Sequence, residues 1–106
     1  MKFKKDRKLH IRRLDKVETI HAFKMMGNEY RMNMLLLLKE HPHLTLDQIN
    51  EHVGGDFKNI STHMKKLSTA GLVDKKYLGN YVQHTLTEYG KRSVQCYNLF
   101  LKELDI

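Results

Sequence analysis

The stretch N-I-S-T-H-M-K-K-L-S-T-A-G-L-V, Asn59 to Val73, decides how the chain is read. Ile60, Met64 and Leu67 recur at three- and four-residue spacing, so one side of the segment is apolar and the rest is Asn, Ser, Thr and Lys. A helical pattern that stops on Gly71 and runs into the apolar pair Leu72-Val73 is a helix handing over to a strand. Asp56 stands where an N-cap belongs, which predicts a helix from about 57 to 70 with Phe57, Ile60, Met64, Leu67 and Gly71 near one face.

Upstream, Gly54-Gly55 supplies a turn, and Leu46, Ile49 and Val53 form the inward stripe of a short helix capped by Thr45 or Asp47. Two short helices joined through a glycine turn read as helix-turn-helix. Leu44-Thr45 reads as a short extended bridge. Glu29 to His41 carries Met32, Leu35, Leu36 and Leu38 in a fully apolar centre between charged ends, the pattern of a central helix that Pro42 stops near His41. Gly27-Asn28 closes a first helix over about 14 to 26, in which Leu14, Val17 and Ile20 recur at helical spacing.

Downstream, Leu72 to Tyr77 and Tyr81 to Leu86 are short β-branched and aromatic segments with Gly79-Asn80 between them, a hairpin with a loop of two to four residues. Thr87 caps a last helix over about 88 to 104, with Val94, Tyr97, Leu101 and Leu104 in register and Cys96 and Phe100 beside them. The expected fold is mainly α with a small β-hairpin, in the order α-α-(short β)-α-α-β-β-α. It occupies residues 14–106 behind a basic arm at 1–13.

Composition bounds the partner. The 106 residues carry a formal charge of +7, and a surplus of six positive charges falls within residues 1–16, which favours a polyanion or an anionic surface. That arm either runs along DNA or serves as a solubilising tail. The single cysteine, Cys96, is compatible with a reducing compartment and reads as a small residue in a helix interface. The N-terminal segment has no apolar core of a secretory signal, and the longest apolar run, Met34 to Leu38, is too short to cross a bilayer. The expectation is a cytoplasmic protein.

A helix lying in a major groove must present side chains that meet phosphates and base edges. Away from the apolar stripe, the helix at 57–70 offers Lys58, Asn59, Thr62, Lys65, Lys66 and Thr69. Asn59 suits an adenine edge, Thr62 and Ser61 a base or phosphate, and Lys58 and Lys66 the backbone or guanine acceptors. His63 is either a phosphate contact or a partly buried histidine with one hydrogen bond. Lys75, Lys76 and Asn80 of the hairpin join the candidate set, the lysines on one surface with Lys65 and Lys66 if the hairpin flanks the helix.

The segment I-S-T-H-M-K-K-L-S-T-A-G-L-V resembles the recognition helix and first wing strand of winged helix-turn-helix transcription regulators, above all the ArsR-like group, whose usual pattern is V-S-x-H-L-x-x-L-x-x-A-G-L-V. Ile60, Ser61, His63, Met64, Leu67, Ala70, Gly71, Leu72 and Val73 match it in register, and H-T-L-T-E-Y-G, His84 to Gly90, resembles the usual end of the second wing strand and the start of the next helix. MarR-like regulators share much of the pattern. The resemblance spans about Glu29 to Gly90. It implies that the helix at about 57–70 enters the major groove, that the wing at about 72–86 reaches the backbone or minor groove, and that the terminal helices form a homodimer. Lys58, Asn59, Ser61, Thr62 and Lys66 would then face DNA. The chain departs from the ArsR-like pattern in having Gly27-Asn28 where many relatives have Asp-Pro, Gly54-Gly55 at the turn, and no cysteine cluster near the short third helix.

Of the seven histidines, only His41 and His43 are close in sequence, and no phosphate loop, zinc-protease motif or nucleophile elbow occurs. Neither metal nor cofactor is expected, and no enzymatic activity. The sequence therefore reads as a homodimeric, sequence-specific double-stranded DNA-binding transcriptional regulator. A winged-helix module for protein or RNA contact is the alternative, and attachment of the basic arm to an anionic membrane surface is weaker still because apolar anchors are few.

Overall fold

The computed structural model describes residues 19–105. The expected basic arm at 1–13 and the start of the first helix lie outside them. The elements are α1 (helical over 19–26), α2 (Glu29–Glu40), α3 (Leu46–Val53), α4 (Phe57–Thr69), β1 (Val73–Leu78), β2 (Tyr81–Leu86) and α5 (Glu88–Leu104).

Each of the helices α2 to α5 starts where a side chain can take its orphan N–H groups. Asn28 accepts from the Arg31 N–H at 3.0 Å and opens α2, so the Gly27-Asn28 pair that departs from the ArsR-like pattern still makes an N-cap. Of the two residues offered for α3, Thr45 is the cap: Gln48 closes a capping box with it, donor and acceptor reciprocated. Asp56 caps α4 and Thr87 caps α5.

α2 touches α3, α4, α5 and β2. Its apolar surface on several sides follows from that position: Met34, Leu35 and Leu38 are buried, and they meet Ile49 of α3, Ile60, Met64 and Leu67 of α4, and Val94 of α5 in one core. Phe57 departs from the expected inward face. It is the first residue of α4, one turn ahead of Ile60, and is 45% exposed.

The end of α4 explains the A-G-L-V motif. The Leu72 N–H reaches back to the Leu67 carbonyl and the Gly71 N–H to the Ser68 carbonyl, each at 3.0 Å, which is a Schellman closure with Gly71 at φ 80°. The chain is thereby released into β1. The strands pair antiparallel from Val73 opposite Leu86 to Leu78 opposite Tyr81, so the hairpin loop is Gly79-Asn80 alone. A one-residue bridge, Leu44 to His84, joins the hairpin to the segment before α3, as the extended reading of Leu44-Thr45 required.

The two ends of the hairpin are stitched together. The Thr87 hydroxyl donates to the Gly71 carbonyl at 2.7 Å and accepts from the Gly90 N–H at 2.8 Å, while the Thr87 N–H donates to the Leu72 carbonyl at 3.1 Å. Gly90 is buried so close to this junction that a Cβ there would lie 2.1 Å from the Leu72 carbonyl oxygen. Alanine is the better helix former by about 1 kcal/mol, but a backbone oxygen held by its own hydrogen bond cannot move aside cheaply. Gly90→Ala is expected to lower the unfolding free energy by about 2 kcal/mol, measured by urea titration; an unchanged or raised midpoint would show that the junction yields.

Candidate nucleic-acid interface

Lys58, Asn59, Ser61, Thr62, Lys65 and Lys66 are all exposed on α4. At 3.6 residues per turn they occupy one arc of about 160° opposite Ile60, Met64 and Leu67. The Thr62 hydroxyl donates to the Lys58 carbonyl at 3.0 Å. Its proton is therefore taken, leaving an oxygen that accepts and a methyl group that meets apolar surface, such as that of thymine. The Lys58 N–H is bonded to Asp56 at 3.3 Å, so the amino end of the helix already carries a carboxylate and the lysine side chains supply the positive charge beyond it.

The hairpin presents its lysines differently from the expectation. Side chains alternate along a strand, so Lys75, opposite His84, and Lys76, opposite Gln83, point to opposite faces of the ribbon. Lys75 lines a groove of about 300 Å³ between the hairpin and the start of α3, together with Thr45, Asp47 and Tyr77. Lys75 and Lys76 thus do not share one surface. Asn80 is exposed at the tip.

His84 is buried on the inner face, with its Nδ1 3.1 Å from the Leu44 carbonyl. A carbonyl only accepts, so Nδ1 carries the ring proton. Burial lowers the His84 pKa; the bond to Leu44 opposes the shift and Lys75 adds to it.

His63 is half-buried at the edge of the arc. Its ring stacks on Tyr30 at 5.6 Å and 13°, and its Nδ1 lies 3.1 Å from Nη1 of Arg31. Burial lowers its pKa, with Arg31 and then Lys66 contributing in the same direction. Of the two readings of this residue, the partly buried, hydrogen-bonded one describes its setting. Arg31 and Tyr30, outside the expected site, are part of that setting. A lone arginine leading into the run M-N-M-L-L-L-L was the available signal.

On the terminal helices, Ile20 and Phe23 of α1 and Leu99, Phe100 and Leu104 of α5 are each more than half exposed. An apolar recess of about 470 Å³ lies there between Phe23 and Met26, Met32, and Cys96, Tyr97 and Phe100. Cys96 is exposed. Among the described residues no group of three or more His, Cys, Asp or Glu is placed to hold a metal ion, and no helix is long and apolar enough to cross a membrane.

A capped helix pair packed across a third helix, followed by a hairpin pinned back to the body, defines a winged helix-turn-helix. Residues 28–75 match the model of the family described as bacterial regulatory protein, arsR family. The same fold occurs in HlyU from Vibrio cholerae N16961, with a TM-score of 0.73, 21% identity, and coverage of 81% of this chain and 94% of that one. The Mycobacterium bovis protein Mb0332, described as a homodimeric winged helix-turn-helix DNA-binding domain and a possible ArsR-family regulator, superposes with a TM-score of 0.77 at 19% identity, over 87% of this chain and 86% of the other. HlyU from Vibrio vulnificus CMCP6 gives 0.69 at 22% identity, over 92% and 98%. No curated protein matches the chain in sequence. The fold is the winged helix-turn-helix that these structures share.

Burial of a neutral histidine links stability to pH. An unfolded histidine titrates near about 6.5, whereas folded His84 and His63 both take up protons only at lower pH. Between those values the unfolded chain binds more protons, so the histidines' contribution is complete above about pH 6.5 and is lost on acidification. The urea midpoint is expected to fall between pH 7.5 and 5, and to fall less in His84→Gln; a midpoint independent of pH in the parent protein would refute this.

Proposed function

We propose that this chain is a homodimeric transcriptional regulator that binds double-stranded DNA sequence-specifically, with α4 in the major groove and the hairpin as a wing at the backbone or minor groove. It works in the cytoplasm and is not an enzyme. The observation that carries the reading is the arc of Lys58, Asn59, Ser61, Thr62, Lys65 and Lys66, all solvent-exposed on a helix whose other side is locked into the core. Amide and hydroxyl groups flanked by lysines are what base edges and phosphates require together.

Within the set, Asn59 and Thr62 are assigned to bases and Lys58, Lys65 and Lys66 to phosphates. Lys75, Lys76 and Asn80 are the wing's contribution, with the two lysines on opposite sides of the ribbon reaching different strands or grooves. His63 is engaged with Arg31, so its part is chiefly to support α4. Residues 1–13 serve as a basic arm and 14–106 as the winged-helix domain.

The terminal helices supply the second half of the reading. Ile20, Phe23, Phe100 and Leu104 leave apolar, mostly uncovered side chains on α1 and α5 that a second copy can bury. A two-fold pairing there would set two α4 helices about 34 Å apart, one turn of DNA, on an inverted repeat. The Mycobacterium bovis relative is described as homodimeric, which supports the assignment.

Selection of duplexes from a random pool, followed by footprinting, tests the reading. Two inverted half-sites are expected, and no enrichment of any duplex at low salt, alongside capture of a protein or RNA ligand, would overturn it. Lys58→Ala or Lys66→Ala is expected to weaken binding to all duplexes alike and to reduce the salt slope by about one. Phe100→Glu is expected to turn a sedimenting dimer into monomer, and a parent protein that sediments as monomer at micromolar concentration would remove the two-half-site reading.

A further inference from the structure

We propose that Arg31 and His63 form a positioning pair that sets the rotation of the recognition helix: the buried guanidinium, anchored to the end of α1, holds the His63 imidazole and so fixes which side chains α4 turns toward DNA. This rests on the DNA-binding reading and extends it to residues that do not touch the duplex.

Arg31 is 8% exposed, a buried cation. Its Nε–H donates to the Met25 carbonyl in α1, and Nη1 donates to His63 Nδ1 at 3.1 Å. A guanidinium has donors only, so Nδ1 must be the acceptor and the ring proton sits on Nε2. The pairing therefore requires neutral His63, and protonation would set an N–H against an N–H. The charged groups acting on the imidazole are Arg31 from α2 and Lys66 from its own helix, both cationic, and Tyr30 is the titratable group stacked on its face.

Tyr30 adds a second point of contact. Its hydroxyl lies against Gly55, where an added Cβ would be 3.1 Å away, at the turn that leads into α4. Adjacent residues of α2 thus reach the turn before α4 and the middle of the helix. Ile60, Met64 and Leu67 secure the helix by apolar burial, a driving force that is non-directional. A hydrogen bond from a buried guanidinium is directional. The distinction matters because side chains end about 5–6 Å from a helix axis, so a rotation of about 10° moves them by about 1 Å. That displacement separates a made base contact from a lost one, while long lysine side chains follow phosphates through it.

The expected signature is therefore a loss of discrimination rather than of affinity. The readout is the affinity ratio between the duplex the protein selects and a scrambled duplex of the same length, measured from pH 8 to 5.5 at constant salt. In the parent protein the ratio falls at least fivefold toward pH 5.5. Arg31→Met lowers it at least fivefold at pH 8 and makes it independent of pH. His63→Leu, which keeps volume without an acceptor, does the same and serves if Arg31→Met does not fold. His63→Asn, whose amide oxygen can accept from Arg31 without titrating, recovers at least half of what His63→Leu loses and shows no pH dependence. A parent ratio that is flat with pH, a pH-dependent fall that persists in His63→Asn, or a wild-type ratio in both Arg31→Met and His63→Leu overturns the pair. Failure to select any duplex overturns the DNA-binding reading itself, so the two failures are distinct.

Discussion

The Leu72 carbonyl occupies the space a side chain at residue 90 would need, and the placement of the wing follows from that approach. At the same spot Thr87 takes the carbonyls of both Gly71 and Leu72 and caps α5 through Gly90. The outgoing and returning ends of the hairpin are thereby tied to each other and to the Schellman end of α4. A lone two-stranded hairpin is marginal in water. Here its base is bonded to two helices and its flank to Leu44, so the direction of the ribbon is set by a few backbone hydrogen bonds and needs no large core of its own.

The α4 helix is held by two kinds of force with different tolerances. Burial of Ile60, Met64 and Leu67 resists removal of the helix from the body, and the force has no direction of its own. The contacts of Tyr30 and Arg31 are specific in direction and reach α4 from a single turn of α2. Stability and alignment are therefore assigned to different residues, and a change that leaves the protein folded can still misalign it.

Most of the architecture was legible because local signals agreed: caps at Asp56 and Thr87, glycines at Gly71 and Gly79, and apolar residues at the spacing each element needs. The choice between Thr45 and Asp47 was open on composition and is settled by Gln48 three residues after Thr45, a capping-box spacing present in T-L-D-Q. Lys75 and Lys76 are neighbours in sequence, and the period of a strand sends them to opposite faces. The exposed arc of α4 followed from helical periodicity alone. The bond between Arg31 and His63 spans 32 residues and depends on how two helices cross, which no window of sequence contains.

The apolar ends of α1 and α5 bear on how the protein behaves in dilute solution. Side chains such as Phe100, 60% exposed, and Leu104, 63% exposed, leave free energy to be gained only when another surface arrives. If that surface is a second copy, folding and association become one linked equilibrium, and the melting temperature rises with total protein. Occupancy of an inverted repeat would then respond to abundance more steeply than in proportion, since each bound unit draws on two chains. The amount of the protein would itself be a signal, with no small molecule required to carry it.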